Sequence, residues 1–177
     1  MSTLEKQEEK IIEDIDYAFV LNEILQKVNS HCEHIDVQVN IIVALSTAVF
    51  IFSAQRFLLE SPKQPLYLLA LILFSALSAI AGLLAVNPPG FMRKKGQKES
   101  LLYHRRIALF NSAEEYAERL ETMLSSKRNI TEGYSSEIYN LSKYYYLPKR
   151  SLFQLSRNLL MLGLTLSFIL FIVIHTV

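Results

Sequence analysis

The sequence contains only one cysteine, Cys32, in 177 residues. That excludes an intrachain disulfide framework and a zinc cage built from cysteine alone. Glycine and proline are scarce, at five each, too few for the turns of a β-sandwich or for a disordered chain. There is no GxSxG, GxxxxGKS, GxxxxGKT or HExxH, and the few glycines form no phosphate-cradling loop, so no enzyme is expected. A formal net charge of +1 speaks against an obligate nucleic-acid binder. The absence with most consequence is local: no Asp, Glu, Lys or Arg stands between Asp36 and Arg56, from Leu66 to Val86, or from Leu159 to Ile174.

These runs concentrate a composition that is 51% hydrophobic, with mean hydropathy +0.23. Crossing the hydrocarbon core takes roughly 20 apolar residues, with about 17–25 usual. The first run, 37–59, is diluted by Asn40, Ser46, Thr47 and Ser53, and the second, 66–86, is wholly uncharged. The third, 159–177, has a shorter apolar part that His175, Thr176 and Val177 extend. Charge-free runs of this length leave no solvent face for a soluble bundle. The expectation is an all-α integral membrane protein with three transmembrane helices and a cytoplasmic helical bundle. Residues 1–36 are acidic and amphipathic, with no basic n-region or cleavage site, so the first run is expected to stay in the protein as a membrane anchor. No Asp or Glu lies within the spans as drawn, which argues against an ion-coupled transporter, since such proteins usually keep a carboxylate there.

Lys and Arg beside the membrane set orientation. Residues 1–36 hold three, the connection between the first two spans holds two, and residues 87–158 hold thirteen. The N-terminus and residues 87–158 are therefore expected in the cytoplasm and the C-terminus outside. Residues 1–36 carry a net −6 and residues 87–158 a net +6. These two parts should attract one another, although exposed pairs contribute only about 0–1 kcal/mol each.

The N-terminal segment reads as an amphipathic helix on Ile11, Ile15, Phe19, Leu25 and Val28, continuing into the first span. Asn87-Pro88-Pro89-Gly90 should end the second span. Ser112 with Glu115 is a capping-box pair that predicts a helix start. Residues 129–133 read as a turn, a second helix should begin near Tyr134, and Pro148 should kink it.

Three constellations carry candidate chemistry. His31-Cys32-Glu33-His34 has metal-ligand residue types but lacks a second pair of ligands, so it reads as a polar helical turn, with no metal expected. Tyr144-Tyr145-Tyr146 with Lys143, Lys149 and Arg150 combines rings and cations. That mixture can stack a base and pair a phosphate, and it equally describes an interfacial aromatic belt with snorkelling cations. Ser75/Ala79, Ser78/Gly82 and Gly163/Ser167 put small residues at four-residue spacing, which suits close helix packing within a protomer or between copies. With only three spans to bury these faces, a homo-oligomer is expected.

The order of elements, with Asp36 before the first span and Asn87-Pro88-Pro89 after the second, resembles the Pycsar effector transmembrane family (PycTM) of bacterial anti-phage defence. So do the stretches Ala108–Leu120 and Glu137-Ile-Tyr-Asn-Leu-Ser-Lys143. Where such proteins tend to carry Asp-x-Lys-Ala at the first span, this chain has Asp36-Val-Gln38-Val39. The resemblance covers roughly residues 25–175. It implies an inner-membrane effector that answers a cyclic pyrimidine nucleotide (cCMP or cUMP), directly or through a nucleotide-sensing protein, and then compromises the membrane. No cofactor is implied. If the nucleotide binds directly, the expected residues are Arg105, Arg106, Lys143, Tyr144, Tyr145 and Tyr146. The competing expectation is a non-catalytic membrane scaffold that recruits a soluble partner through its cytoplasmic helices.

Overall fold

Prolines set the limits of the second span. Pro65 stands before its first turn with extended backbone (φ −75°, ψ 124°). Pro88 holds Asn87 out of the helical region (φ −135°, ψ 85°) and so ends it. The computed structural model describes residues 3–59, 65–92 and 100–176, and among these the side chains of 17, 19–59, 65–92, 100–103 and 106–176. Every regular element in it is helical: α1 Thr3–Leu59, α2 Leu66–Val86, α3 His104–Ile107, α4 Ala113–Leu124, α5 Lys127–Asn140, a π-helical turn Leu141–Tyr146, and α6 Leu147–Thr176. Three stretches, within Phe19–Leu59, Leu66–Val86 and Lys127–Thr176, are long and apolar enough to cross a membrane. The expected all-α membrane architecture is what forms.

The chain divides into two compact units, Met1–Cys32 with Lys94–Tyr145, and Glu33–Arg93 with Tyr146–Val177. The first groups the N-terminal arm with the central segment, and the contacts described between them are a hydroxyl pair and a cation over a ring. The Tyr17 and Thr131 hydroxyls hydrogen-bond at 2.6 Å, and the Lys127 ammonium lies 4.7 Å from the Tyr17 ring centroid. The N-terminal apolar face at Ile11 and Ile15 lies outside the described side chains.

The serine half of the expected capping box at α4 forms. Ser112 Oγ accepts the Glu115 amide at 3.2 Å, and Glu115 Oε2 accepts the backbone and side-chain N–H of Asn111 rather than that of Ser112. Its own backbone amide and the Ser112 hydroxyl hold the Glu114 carboxyl below the usual range. A lowered carboxyl pKa stabilises the fold above the ordinary Glu range, and that contribution disappears as pH falls through the lowered value. Removing the cap with Ser112→Ala is expected to weaken the first turn of α4 by about 1 kcal/mol. The readout is hydrogen exchange at the Glu115 amide, expected to accelerate roughly fivefold. Unchanged exchange would show that the cap contributes nothing.

Residues 129–133 are not the turn the sequence suggests. Ser126 caps a helix by accepting the Asn129 amide at 3.2 Å, and α5 runs straight through Gly133. That glycine serves packing: a Cβ on it would lie 2.7 Å from Met123 Sδ on α4. Pro148 produces a π turn rather than a stop. It has no N–H, and its ring crowds the carbonyl four residues back, so the preceding turn widens to Leu141–Tyr146 and the helix resumes as α6.

In the second unit α6 runs antiparallel to α2. Ala85 and Leu152 share one apolar cluster, Ser78 bonds Ser156, and Gly163 abuts Phe74. Tyr67 meets Phe171 edge-on at 5.4 Å. The first span joins through Val43 against Gly82 and Ser46 against Ser78. Ser75, Ser78, Gly82, Gly163 and Ser167 are all buried, so the small residues at four-residue spacing are used inside one protomer.

Candidate functional site

Near one end of the second unit, Ile35, Val39, Ala85 and Leu152 are buried together, with Val43, Met92, Tyr146 and Phe153 packed around them. Lys149 stands one turn before Leu152, and its side chain is 2% exposed. A lysine can be buried this way when its methylenes cover apolar surface and its ammonium reaches an anion. Here the ammonium donates to Asp36 Oδ1, and Asp36 is 40% exposed. The pair therefore ties the start of the first span to the start of α6, with its cation dry and its anion at the rim.

Deeper in the unit, three serines join all three spans. Ser46, Ser78 and Ser156 are fully buried. Ser78 Oγ donates to Ser156 O at 2.7 Å, and Ser156 Oγ donates to Ser78 O at 2.7 Å. Both protons are thereby used on carbonyls. The 2.7 Å contact between Ser46 Oγ and Ser78 Oγ must then have Ser46 as donor. The network is satisfied without water, as buried polar groups at membrane depth require.

The sequence-predicted ligand residues fall in different settings. Lys143 donates to the Tyr139 hydroxyl and lies 4.9 Å from that ring's centroid. Tyr144 meets Tyr139 edge-on at 6.0 Å. The hydrogen bond from Lys143 to Tyr139, reinforced by the charge that phenol can carry, raises the lysine above its usual range, so it stays cationic to unusually high pH. Lys143, Tyr144 and Tyr139 thus form one aromatic–cation cluster in the first unit. Tyr145 is half-buried beside them in the π turn. Tyr146 belongs to the second unit, where the Arg150 guanidinium carbon lies 5.9 Å from its ring centroid. Arg106 is half-buried at α3, and the Arg105 side chain lies outside the described residues, as do Lys94 and Lys95. His34 of the histidine–cysteine turn hydrogen-bonds Gln38 at 3.0 Å.

Sequence reasoning missed two participants. Tyr139 lies one turn before Lys143, and that four-residue spacing was the available signal. Lys149 was grouped with the aromatic belt, and nothing in its neighbourhood named Asp36, 113 residues away, as its partner. The usable hint was that both charges flank predicted spans on the same side of the membrane.

No curated protein and no solved structure matches the chain. Comparison with protein families matches residues 20–175 to PycTM, the Pycsar effector protein domain. The match takes in all three candidate spans, both buried networks and the aromatic–cation cluster. The chain therefore belongs to the Pycsar effector family and is a membrane effector of Pycsar anti-phage defence.

Proposed function

We propose that this effector is non-catalytic, sits in the inner membrane with its N-terminus in the cytoplasm and its C-terminus outside, and compromises membrane integrity when a cyclic nucleotide signal arrives. Copies act as a homo-oligomer. The observation that carries the reading is helical continuity. Two runs, Thr3–Leu59 and Lys127–Thr176, each belong to both compact units, and the π turn lies where the second run passes from one unit to the other. A signal that biases the first unit can act on the spans through these two helices, a population shift between two packings of one chain. A nucleotide bound directly would place its base on Tyr144 and its phosphate on Lys143, with Arg105, Arg106, Tyr145 and Tyr146 as further candidates. A nucleotide-sensing protein docked on the first unit would do the same work.

The test is to express the chain in bacteria with and without a pyrimidine nucleotide cyclase and to follow a potential-sensitive dye. Depolarisation only with the cyclase is expected. An unchanged potential under every cyclic nucleotide tried would overturn the effector mechanism and favour a scaffold that recruits a soluble partner.

A further inference from the structure

The outward faces of the three spans differ in chemistry. On α2 the exposed residues are Leu66, Leu69, Leu73, Leu77, Ile80, Leu83, Leu84 and Val86, which suit lipid. On α6 the face opposite the buried Ser156 carries Gln154, Arg157, Asn158 and Thr165, all exposed. These recur at helical spacing, so they form one stripe. Thr165 satisfies itself on the Met161 carbonyl at 2.9 Å, whereas among the described residues Arg157 reaches its neighbour Asn158, at 3.4 Å.

The register places this stripe in depth. Ser156 is level with Ser78, and the end of α2 at Val86 lies eight residues beyond Ser78, about 12 Å at 1.5 Å per residue. Exposed Leu83, Leu84 and Val86 stand nearer that end than Arg157 does. A bilayer that covers those leucines therefore reaches past Arg157, and with a core about 30 Å thick it sets Asn158 close to the midplane. On this placement the third span begins near Ser151 rather than at Leu159, and it contains an arginine. Charged and amide side chains at that depth turn toward protein or water, not acyl chains.

The α1 helix offers the complementary face. Ser46 shares its level with Ser156 through Ser78, which brings Thr47 to the height of Arg157. Asn40, Ala44, Thr47 and Ala48 are exposed on the side of α1 away from Ser46, and none is charged. Packing α6 on α6 about a two-fold axis would set Arg157 against Arg157. Packing α6 on α1 of the next copy sets it against a hydroxyl and amide face.

The geometry points to head-to-tail assembly of this chain in the membrane, the Gln154–Arg157–Asn158 face of α6 in one copy seated on the Asn40–Thr47 face of α1 in the next. Two different faces make a heterologous interface, which builds a ring when the rotation from copy to copy closes and an open array when it does not. This rests on the proposal that the effector self-associates, and it names the surfaces.

Cross-linking tests it without reference to the leak. Cys32 is first replaced by serine, because it is the chain's own thiol. Ile51→Cys and Met161→Cys then place thiols at matching heights on the two outward faces, each at an exposed apolar position. Differently tagged single-cysteine chains are co-expressed and oxidised in membranes, with and without cyclase. A cross-linked pair carrying both tags is expected, its yield falling several-fold when Arg157→Leu and Asn158→Leu are added to the Met161→Cys chain. Dimers of Met161→Cys with itself, or no mixed pair in either condition, would overturn the assembly. So would a yield unmoved by the leucine substitutions, which would leave Arg157 reaching up to lipid phosphate. The potential-sensitive dye reads the effector mechanism separately, so either result can fail alone.

Discussion

Asp36→Asn is expected to destabilise the second unit by about 3 kcal/mol, and clearly more than Lys149→Met does. Breaking a buried ion pair costs about 3–5 kcal/mol when the partner left behind is a buried charge, whereas an apolar replacement of similar volume is often close to neutral. The two ends of this pair differ in that respect. Lys149 is 2% exposed and Asp36 is 40% exposed. Asparagine at 36 leaves the ammonium buried without the carboxylate's charge. Methionine at 149 removes the buried cation, keeps a side chain of similar reach in its place, and leaves Asp36 with access to water. The double variant should therefore resemble Lys149→Met alone, well short of the sum of the single effects. The measurement is the unfolding midpoint in mixed micelles, followed by helical circular dichroism. Equal losses for the two single variants would refute the assignment of Lys149 as the dry partner.

The limits of the second span were legible because they depend on local chemistry: Leu66 and Val86 are bracketed by prolines at 65 and 88, which lack an amide donor and restrict the residue before them. The Ser112 cap was legible for the same reason, since donor and acceptor lie three residues apart. Residues 129–133 misled because Asn and Gly favour turns when judged locally. In the structure Ser126 caps the helix and Met123 fills the space above Gly133, and neither fact is visible from the pentapeptide. The level of α6 relative to α2 became available only through the Ser78–Ser156 bonds. The Asp36–Lys149 pair and the three-serine network share this property: each joins residues more than 30 positions apart. Their spacing is set by the register of the spans against one another, which hydropathy does not encode.

That register depends on one close approach, and Gly163→Ala should disrupt it. A Cβ at 163 would stand 2.5 Å from Phe74 Cβ and 3.7 Å from Phe74 Cα. Both are fixed to the α2 backbone, so no rotamer change relieves the overlap and the helices must separate. Overpacking of this kind costs about 1–3 kcal/mol. Separation also stretches the reciprocal 2.7 Å bonds between Ser78 and Ser156, and such interhelical bonds in membranes average about 0.6 kcal/mol each. Gly82→Ala should cost less, because its added Cβ meets the Val43 Cγ2 methyl, the end of a side chain rather than a backbone-tied carbon. Phe74 supplies the decisive control. Phe74→Ala keeps the Cβ and should not rescue Gly163→Ala, whereas Phe74→Gly removes it and should make the 163 substitution nearly silent against its own background. Unfolding midpoints of these variants in mixed micelles measure the cycle. Rescue by Phe74→Ala would mean that the ring, not the backbone approach, sets the spacing of α2 and α6.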